Sequence, residues 1–177
     1  MLPDFFQASE VPIVHKFYRN YFKDCYVCGD VDYIFGPNTA FFDHCEIHSI
    51  ARVSEEKAYI TAASTPAGQE FGLIFSHCRI TGEEPDSVYL GRPWRDCAKT
   101  AFICCELGDH ICPEGWQNWG KVRAEVLSDY IEYGNFGPGA DCSGRSPLSR
   151  CLVNPEVETY FSKENVLVGE DGWIPAG

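Results

Sequence analysis

An all-β chain wound as a right-handed single-stranded parallel β-helix, finished by C-terminal loops and one short helix, is the architecture this sequence predicts. The first observation is an internal repeat, Phe-x-x-Cys-x-(Val/Ile/Leu), that occurs four times. The second is a series of short β-rich runs with Gly, Pro, Asp or Ser close by. The third is the absence of long helical periodicity, which leaves strands to bury the apolar residues.

The repeat copies are Phe22, Cys25, Val27; Phe42, Cys45, Ile47; Phe75, Cys78, Ile80; and Phe102, Cys105, Leu107. Their starts lie 20, 33 and 27 residues apart, close to one solenoid coil with loops of variable length. Within a copy the Cys and the aliphatic residue share parity and face one side of a strand, whereas the Phe has the opposite parity. All three reach one interior only if the chain bends between Phe and Cys. The polar pairs Lys23-Asp24, Asp43-His44 and Ser76-His77 suit such a bend, and Ile103-Cys104 suits it least, so the fourth copy is expected to be the weakest. Stacked coils then place the thiols in an interior ladder, where free cysteine behaves as a small hydrophobe.

Strand-like runs cover Tyr21 to Val27, Ala58 to Thr61, Gly72 to Phe75, Ser87 to Leu90 and Thr100 to Cys105. From Gly108 onward the pattern loosens into turns and aromatics that pack over the outside of a core. Asn154 followed by Pro155 and Glu156 marks a helix start, running to about Phe161 and expected to cover the last coil.

Composition narrows the function classes. The chain has 177 residues, 45% hydrophobic and 14% aromatic, enough for one buried core. Its net charge is −12, with 14 basic against 26 acidic residues, and it lacks a basic run, which argues against nucleic acid as a partner. No apolar stretch reaches the roughly 18 residues of a membrane span, so no membrane partner is expected, and Met1 to Glu10 does not read as a signal peptide. The chain is read as a monomer. The ten cysteines are expected to be reduced, four of them in the ladder. Cys25-x-x-Cys28 has no second pair to complete a zinc site, Cys104 and Cys105 face opposite ways, and His44 and His48 sit in bend plus strand; no metal or cofactor is expected.

Two segments carry the chemistry: GDVDYIFG at Gly29 to Gly36 and YLGRPW at Tyr89 to Trp94. They offer an aspartate, Asp32, among apolar residues and an arginine, Arg92, between glycine and proline. A guanidinium fork is the partner that fixes such a carboxylate in one orientation, which is how an Asp nucleophile is made. The bland alternatives are an Asp32 that caps a turn and an Arg92 in a surface ion pair.

With ITAAS at Ile60 to Ser64, PEGWQNW at Pro113 to Trp119 and EYGNFGPGA at Glu132 to Ala140, these motifs resemble, in order and rough spacing, the pectin methylesterase family of carbohydrate esterases. The likeness runs from about Tyr21 to Gly172. It implies a pectin lyase-like parallel β-helix that removes methyl groups from the galacturonate esters of pectin (homogalacturonan) without a metal, in cell wall modification and pectin degradation. On the matching positions Asp32 would be the nucleophile that forms an acyl-enzyme, and Arg92 would keep it ionised and aimed. Phe35 and Trp94 would line sugar subsites, and Arg95 would steer substrate carboxylates. Trp119 is expected to be a core aromatic.

The family's second aspartate, its general acid and base, lies in a Gln-Asp-Thr-Leu-Tyr segment about one coil before the nucleophile. Counting back from Asp32 lands on Val11, and no such segment is there. With one residue inserted, Glu10 takes the acid position and Gln7 becomes the nearest oxyanion donor. The simpler expectation is that residues 1–14 match poorly and residues 15–177 form a β-helix domain lacking the family's first coils. An inactive remnant or carbohydrate-binding β-helix is the competing function. Family members act mostly outside the cell, and the compartment of this chain is left open. The net negative charge should repel de-esterified pectate, so that added salt strengthens its binding.

Overall fold

The computed structural model describes residues 5–6, 18–54, 56–169, 171–173 and 175. The chain winds as a parallel β-helix with three sheets, and all its strand pairs are parallel among the described residues. One sheet holds β1 (Phe5–Phe6), β3 (Tyr26–Gly29), β6 (Glu46–Ser49), β9 (Arg79–Gly82) and β12 (Glu106–Leu107). A second holds β4 (Val31–Gly36), β7 (Ala58–Ala63) and β10 (Val88–Pro93). The third stacks β2 (Arg19–Lys23), β5 (Thr39–Asp43), β8 (Leu73–Ser76), β11 (Lys99–Ile103), β13 (Asp129–Tyr133) and β14 (Ser149–Leu152).

The bend required between Phe and Cys is a single residue. Asp24, His44, His77 and Cys104 all take left-handed φ near +52° to +54°, and each turns the chain from the six-stranded to the five-stranded sheet. The bends stack through backbone bonds: Asp24 N donates to Asp43 O, His44 N to Ser76 O and His77 N to Ile103 O, at 2.9–3.0 Å. Cys104 bends as the other three do, so the fourth copy is as regular as its neighbours. What matters at that position is the dihedral angle, which Cys104 adopts without a polar preceding residue, because Ile103 is buried against the outer helices.

Inside the coil the repeat becomes two ladders. Phe22, Phe42, Phe75 and Phe102 stack face to face with centroids 4.5–4.7 Å apart, and Trp116 and Tyr130 continue the column. Cys45, Cys78 and Cys105 are buried, and each Sγ donates to the carbonyl of the Phe one coil below, at 3.4 Å. Each aromatic pair adds about 0.5–1.5 kcal/mol beyond its area burial.

After the one-turn α1 (Ala124–Leu127), the helix signature at Asn154 gives α2 (Glu156–Tyr160), and Asn154 Oδ1 accepts from Glu156 N at 3.0 Å. The helix does not cover the last coil. With α3 (Lys163–Leu167) it lies on the outer face of the six-stranded sheet, where Val157, Phe161, Val166 and Leu167 meet Phe41, Ile74, Ala101 and Ile131. That face carries a second apolar stripe. The expectation of reduced cysteines fails once, because Cys142 and Cys151 form a disulfide between the C-terminal loop and β14.

Trp116 and Glu132 explain two of the motifs. Glu132 is 2% exposed and holds a bidentate pair with Arg145, Nε to Oε1 at 2.9 Å and Nη2 to Oε2 at 3.0 Å. Trp116 Nε1 donates to the same carboxylate at 2.9 Å. This network fastens the loops after β12 to the ladder, and removing one partner of such a buried pair costs about 3–5 kcal/mol.

Candidate active site

The three-stranded sheet positions the site. Asp32 lies on β4, Tyr59 on β7 and Arg92 on β10, so three successive coils each supply one side chain. In β10 Val88 and Leu90 are buried, whereas Tyr89 and Arg92 are each only partly covered. Gly91 is required between them: a Cβ there would stand 2.0 Å from Thr61 Oγ1, a hydroxyl that donates to Leu90 O at 2.8 Å. The Gly-Arg-Pro of YLGRPW is thus a close coil-on-coil approach followed by the functional cation.

Asp32 breaks the regularity of its coil. Its φ is +50°, and the register of β4 against β7 shifts between Val31 and Ile34, a bulge that aims the carboxylate toward β10. Left-handed backbone at a non-glycine residue is sparsely populated and persists where the surroundings impose it. Here a bidentate fork holds the side chain: Arg92 Nε donates to Oδ1 at 3.0 Å and Nη2 to Oδ2 at 2.7 Å. The two side chains are 15% and 23% exposed, so the pair is shielded yet reachable. Asp32 and Arg92 are thus partners of one another.

Arg92 is fixed in turn. Its guanidinium carbon lies 3.8 Å from the centroid of the Tyr59 ring and 3.9 Å from that of Trp119, flat between two π-faces. Tyr59 stacks on Tyr89 one coil on, at 5.1 Å. Trp119 is 39% exposed and touches the site, so the expectation that it is a core aromatic is wrong; Trp116, three residues earlier, takes that role at 1% exposure. In a Trp-x-x-Trp loop only one ring reaches the coil interior.

Phe35 and Trp94, each 37% exposed, meet edge to face at 5.5 Å beside the pair, and Arg95 lies over Trp94 at 5.8 Å. Lys121 completes the set: its Nζ donates to Pro93 O at 2.8 Å and sits 4.1 Å from the Trp119 ring. Burial, then the charges of Arg95 and Arg92, hold its ammonium below the usual lysine range. A chain of net charge −12 thus brings Arg92, Arg95 and Lys121 close together, with Asp32 and Asp96 as the neighbouring carboxylates. The sequence pointed to Asp32, Arg92, Phe35, Trp94 and Arg95, all of which converge. Glu10 and Gln7 lie outside the described residues.

Tyr59 and Lys121 are the residues that sequence reasoning missed. The strand parity of Ala58 to Thr61, which sets Tyr59 on the opposite face from Ala58 and Ile60 of the core, was a usable signal; nothing local marks Lys121.

The arrangement presents an oriented carboxylate on a sheet face among exposed rings and cations. The sequence model of the family described as Pectinesterase matches residues 9–170. Pectinesterase 31 of Arabidopsis thaliana is 39% identical over 141 residues, covering 78% of this chain and 43% of that protein. Pectinesterase 2 of Olea europaea is 36% identical over 145 residues, 81% of this chain and 38% of that protein. The chain thus spans less than half the length of these relatives. Among solved structures, pectin methylesterase from carrot superposes with a TM-score of 0.79 at 28% identity, over 88% of this chain and 52% of that one. A pectin methylesterase solved in complex with a hexasaccharide superposes at 0.71 with 27% identity, over 89% and 53%. Fold, motifs and relatives agree: the chain belongs to the pectinesterase family of carboxylic ester hydrolases.

Proposed function

We propose that this chain demethylates methyl-esterified homogalacturonan, with Asp32 as nucleophile. The observation that carries this reading is the bidentate Arg92 fork on a left-handed, bulged Asp32, set among exposed aromatics. A carboxylate spent on capping a turn has no need of a stacked guanidinium on both oxygens. The hexasaccharide complex of a structural neighbour supports an oligosaccharide as the occupant of the groove.

In this reading an Asp32 oxygen attacks the ester carbonyl carbon and the carbon–methoxy bond breaks. The departing oxygen takes a proton from an acid and leaves as methanol, and the galacturonoyl group remains on Asp32 as an anhydride. Water then adds its hydroxyl to the acyl carbon, returns a proton to the acid's conjugate base and frees Asp32. We assign the acid to Glu10 and the oxyanion donor to Gln7. Phe35 and Trp94 receive sugar faces, and Arg95 and Lys121 face substrate carboxylates.

The test is methanol release from highly methylated pectin by the purified chain beside Glu10→Gln. Release that falls by about 10² to 10⁴ in the variant supports the assignment of the acid. Release that the variant leaves untouched removes Glu10 from the mechanism. A folded chain that binds pectin yet releases no methanol overturns the catalytic reading in favour of a sugar-binding β-helix, the reading suggested by the missing Gln-Asp-Thr-Leu-Tyr segment.

A further inference from the structure

We propose that His77, Cys104 and Glu158 form a binding site for a zinc-class divalent cation, in the row of bends between the six-stranded and five-stranded sheets. The groove lies on the three-stranded sheet, so this site is separate from the ester chemistry.

Coil stacking creates the cluster. Ser76, Ile103 and Tyr133 pair in register across β8, β11 and β13, so the residues that follow them, His77, Cys104 and Gly134, occupy consecutive rungs of one outer row. All three have left-handed backbone. Their side chains leave the coil from equivalent points, as one rung below in the same row, where His44 stacks on His77 at 5.1 Å. The third donor comes from elsewhere: Val157, buried in the outer core, anchors α2 and sets Glu158 over the same row.

One donor atom from each residue lies within 4.8 Å of the other two. Tetrahedral zinc, with bonds of about 2.0–2.3 Å, sets such atoms about 3.3–3.7 Å apart, so closure needs roughly 1 Å of side-chain movement. The donors are not spent on one another. His77 Nε2 stands 3.8 Å from Glu158 Oε1, beyond hydrogen-bond reach, and Cys104 Sγ makes no hydrogen bond among the described residues.

The surroundings suit a ligand set. His77 Nδ1 lies 3.0 Å from Ser76 Oγ; with Nδ1–H donating there, Nε2 presents its lone pair toward Glu158. A hydrogen-bond partner on the other ring nitrogen is what orients a ligating imidazole. Gly134 keeps the next rung open, since a Cβ there would stand 3.0 Å from Cys104 Sγ. Burial, then the charge of Glu158, hold the Cys104 thiol above its ordinary range. A bound cation reverses that balance: the thiol loses its proton to solvent, sulfur coordinates as thiolate, and the dication faces two negative ligands. An imidazole, thiolate and carboxylate set with one open position is a zinc set. Its ligands are separated by 27 and 54 residues, so no sequence spacing betrays it.

The test uses cobalt(II) as a spectroscopic probe and zinc as the competitor. Titration of the purified chain with cobalt should produce a thiolate-to-metal charge-transfer absorption that saturates at one equivalent and is displaced by zinc. Cys104→Ser should abolish the band, and His77→Gln and Glu158→Gln should each weaken binding at least about tenfold. Zinc at 100-fold over its Kd should raise Tm by roughly 5–10 °C, an increase lost in Cys104→Ser. Absence of the band overturns the proposal. So does a band that survives Cys104→Ser, which would place the thiolate at another free cysteine such as Cys25, Cys28 or Cys97.

Discussion

The interior of the coil and the groove on its side are built from the same strands under opposite rules. Inside, every coil repeats the last: Phe22, Phe42, Phe75 and Phe102 stack within 0.2 Å of the same spacing. On the three-stranded face each coil gives the site a different group, Asp32 from one, Tyr59 from the next and Arg92 from the third, although Tyr59 and Tyr89 repeat in register. The interior bends lie at one left-handed residue per coil, whereas Asp32 carries its own left-handed angle in mid-strand, where its neighbours in the sheet have none. Repetition carries stability, because identical rungs bury identical shapes. Departure from repetition carries chemistry, because only a break in the pattern can aim one carboxylate at one cation.

The sharpest way to break this comparison is Asp32→Asn. Methanol release should fall by about 10⁴ or more, equivalent to about 5.5 kcal/mol of transition-state stabilisation, with Tm nearly unchanged. Phe75→Ala attacks the other side: a fully buried ring in mid-column is removed, and stability should drop by about 3–5 kcal/mol in denaturant unfolding. A loss under 1 kcal/mol would mean that the ladder relaxes and is no keystone.

A third prediction concerns pH. His110 is 1% exposed, neither ring nitrogen has a hydrogen-bond partner among the described residues, and burial pulls its pKa from 6.5 down to about 4. The folded state therefore disfavours the imidazolium. The stability this confers is fully present above pH 6.5 and is lost as pH falls toward 4, by up to about 3 kcal/mol. Unfolding free energies measured across that window in the parent and in His110→Phe should converge in slope if another group is responsible, and diverge if His110 is.

Arg92→Lys keeps the charge and removes the fork and the flat stacking. It should lower kcat by about 10², about 2.7 kcal/mol, leaving the ladder intact. Trp119→Ala frees one face of the guanidinium and should cost about tenfold in kcat/KM; an unchanged value would return Trp119 to a packing role.

The interior was largely legible in the sequence because its signal is periodic. Phe, Cys and an aliphatic residue at fixed offsets state both the strand and the bend; the fourth copy was wrongly expected to be the weakest, and Cys25 of the first copy is only partly buried where an interior thiol was expected. The groove was legible where a motif kept its members adjacent, as in YLGRPW, which holds Arg92 and Trp94 together. It was illegible where a residue arrives from another coil: Tyr59 reaches Arg92 through coil stacking, and Lys121 through a loop that nothing local identifies. Trp119 was misplaced because composition says that tryptophan is buried, while the turn after Trp116 turns the second ring outward. The Cys142–Cys151 disulfide was missed for a related reason, since the loop folds back to bring two cysteines outside the repeat together.

The most direct measurement combines both sides in one experiment: methanol release per folded molecule and Tm, for the parent, Asp32→Asn and Phe75→Ala, at a temperature where all three are folded. Asp32→Asn should lose the rate and keep the Tm, while Phe75→Ala should lose the Tm and keep the rate. If Asp32→Asn retains the parent's rate, or if Phe75→Ala abolishes turnover while still folded, then the division between repeating core and irregular groove is contradicted.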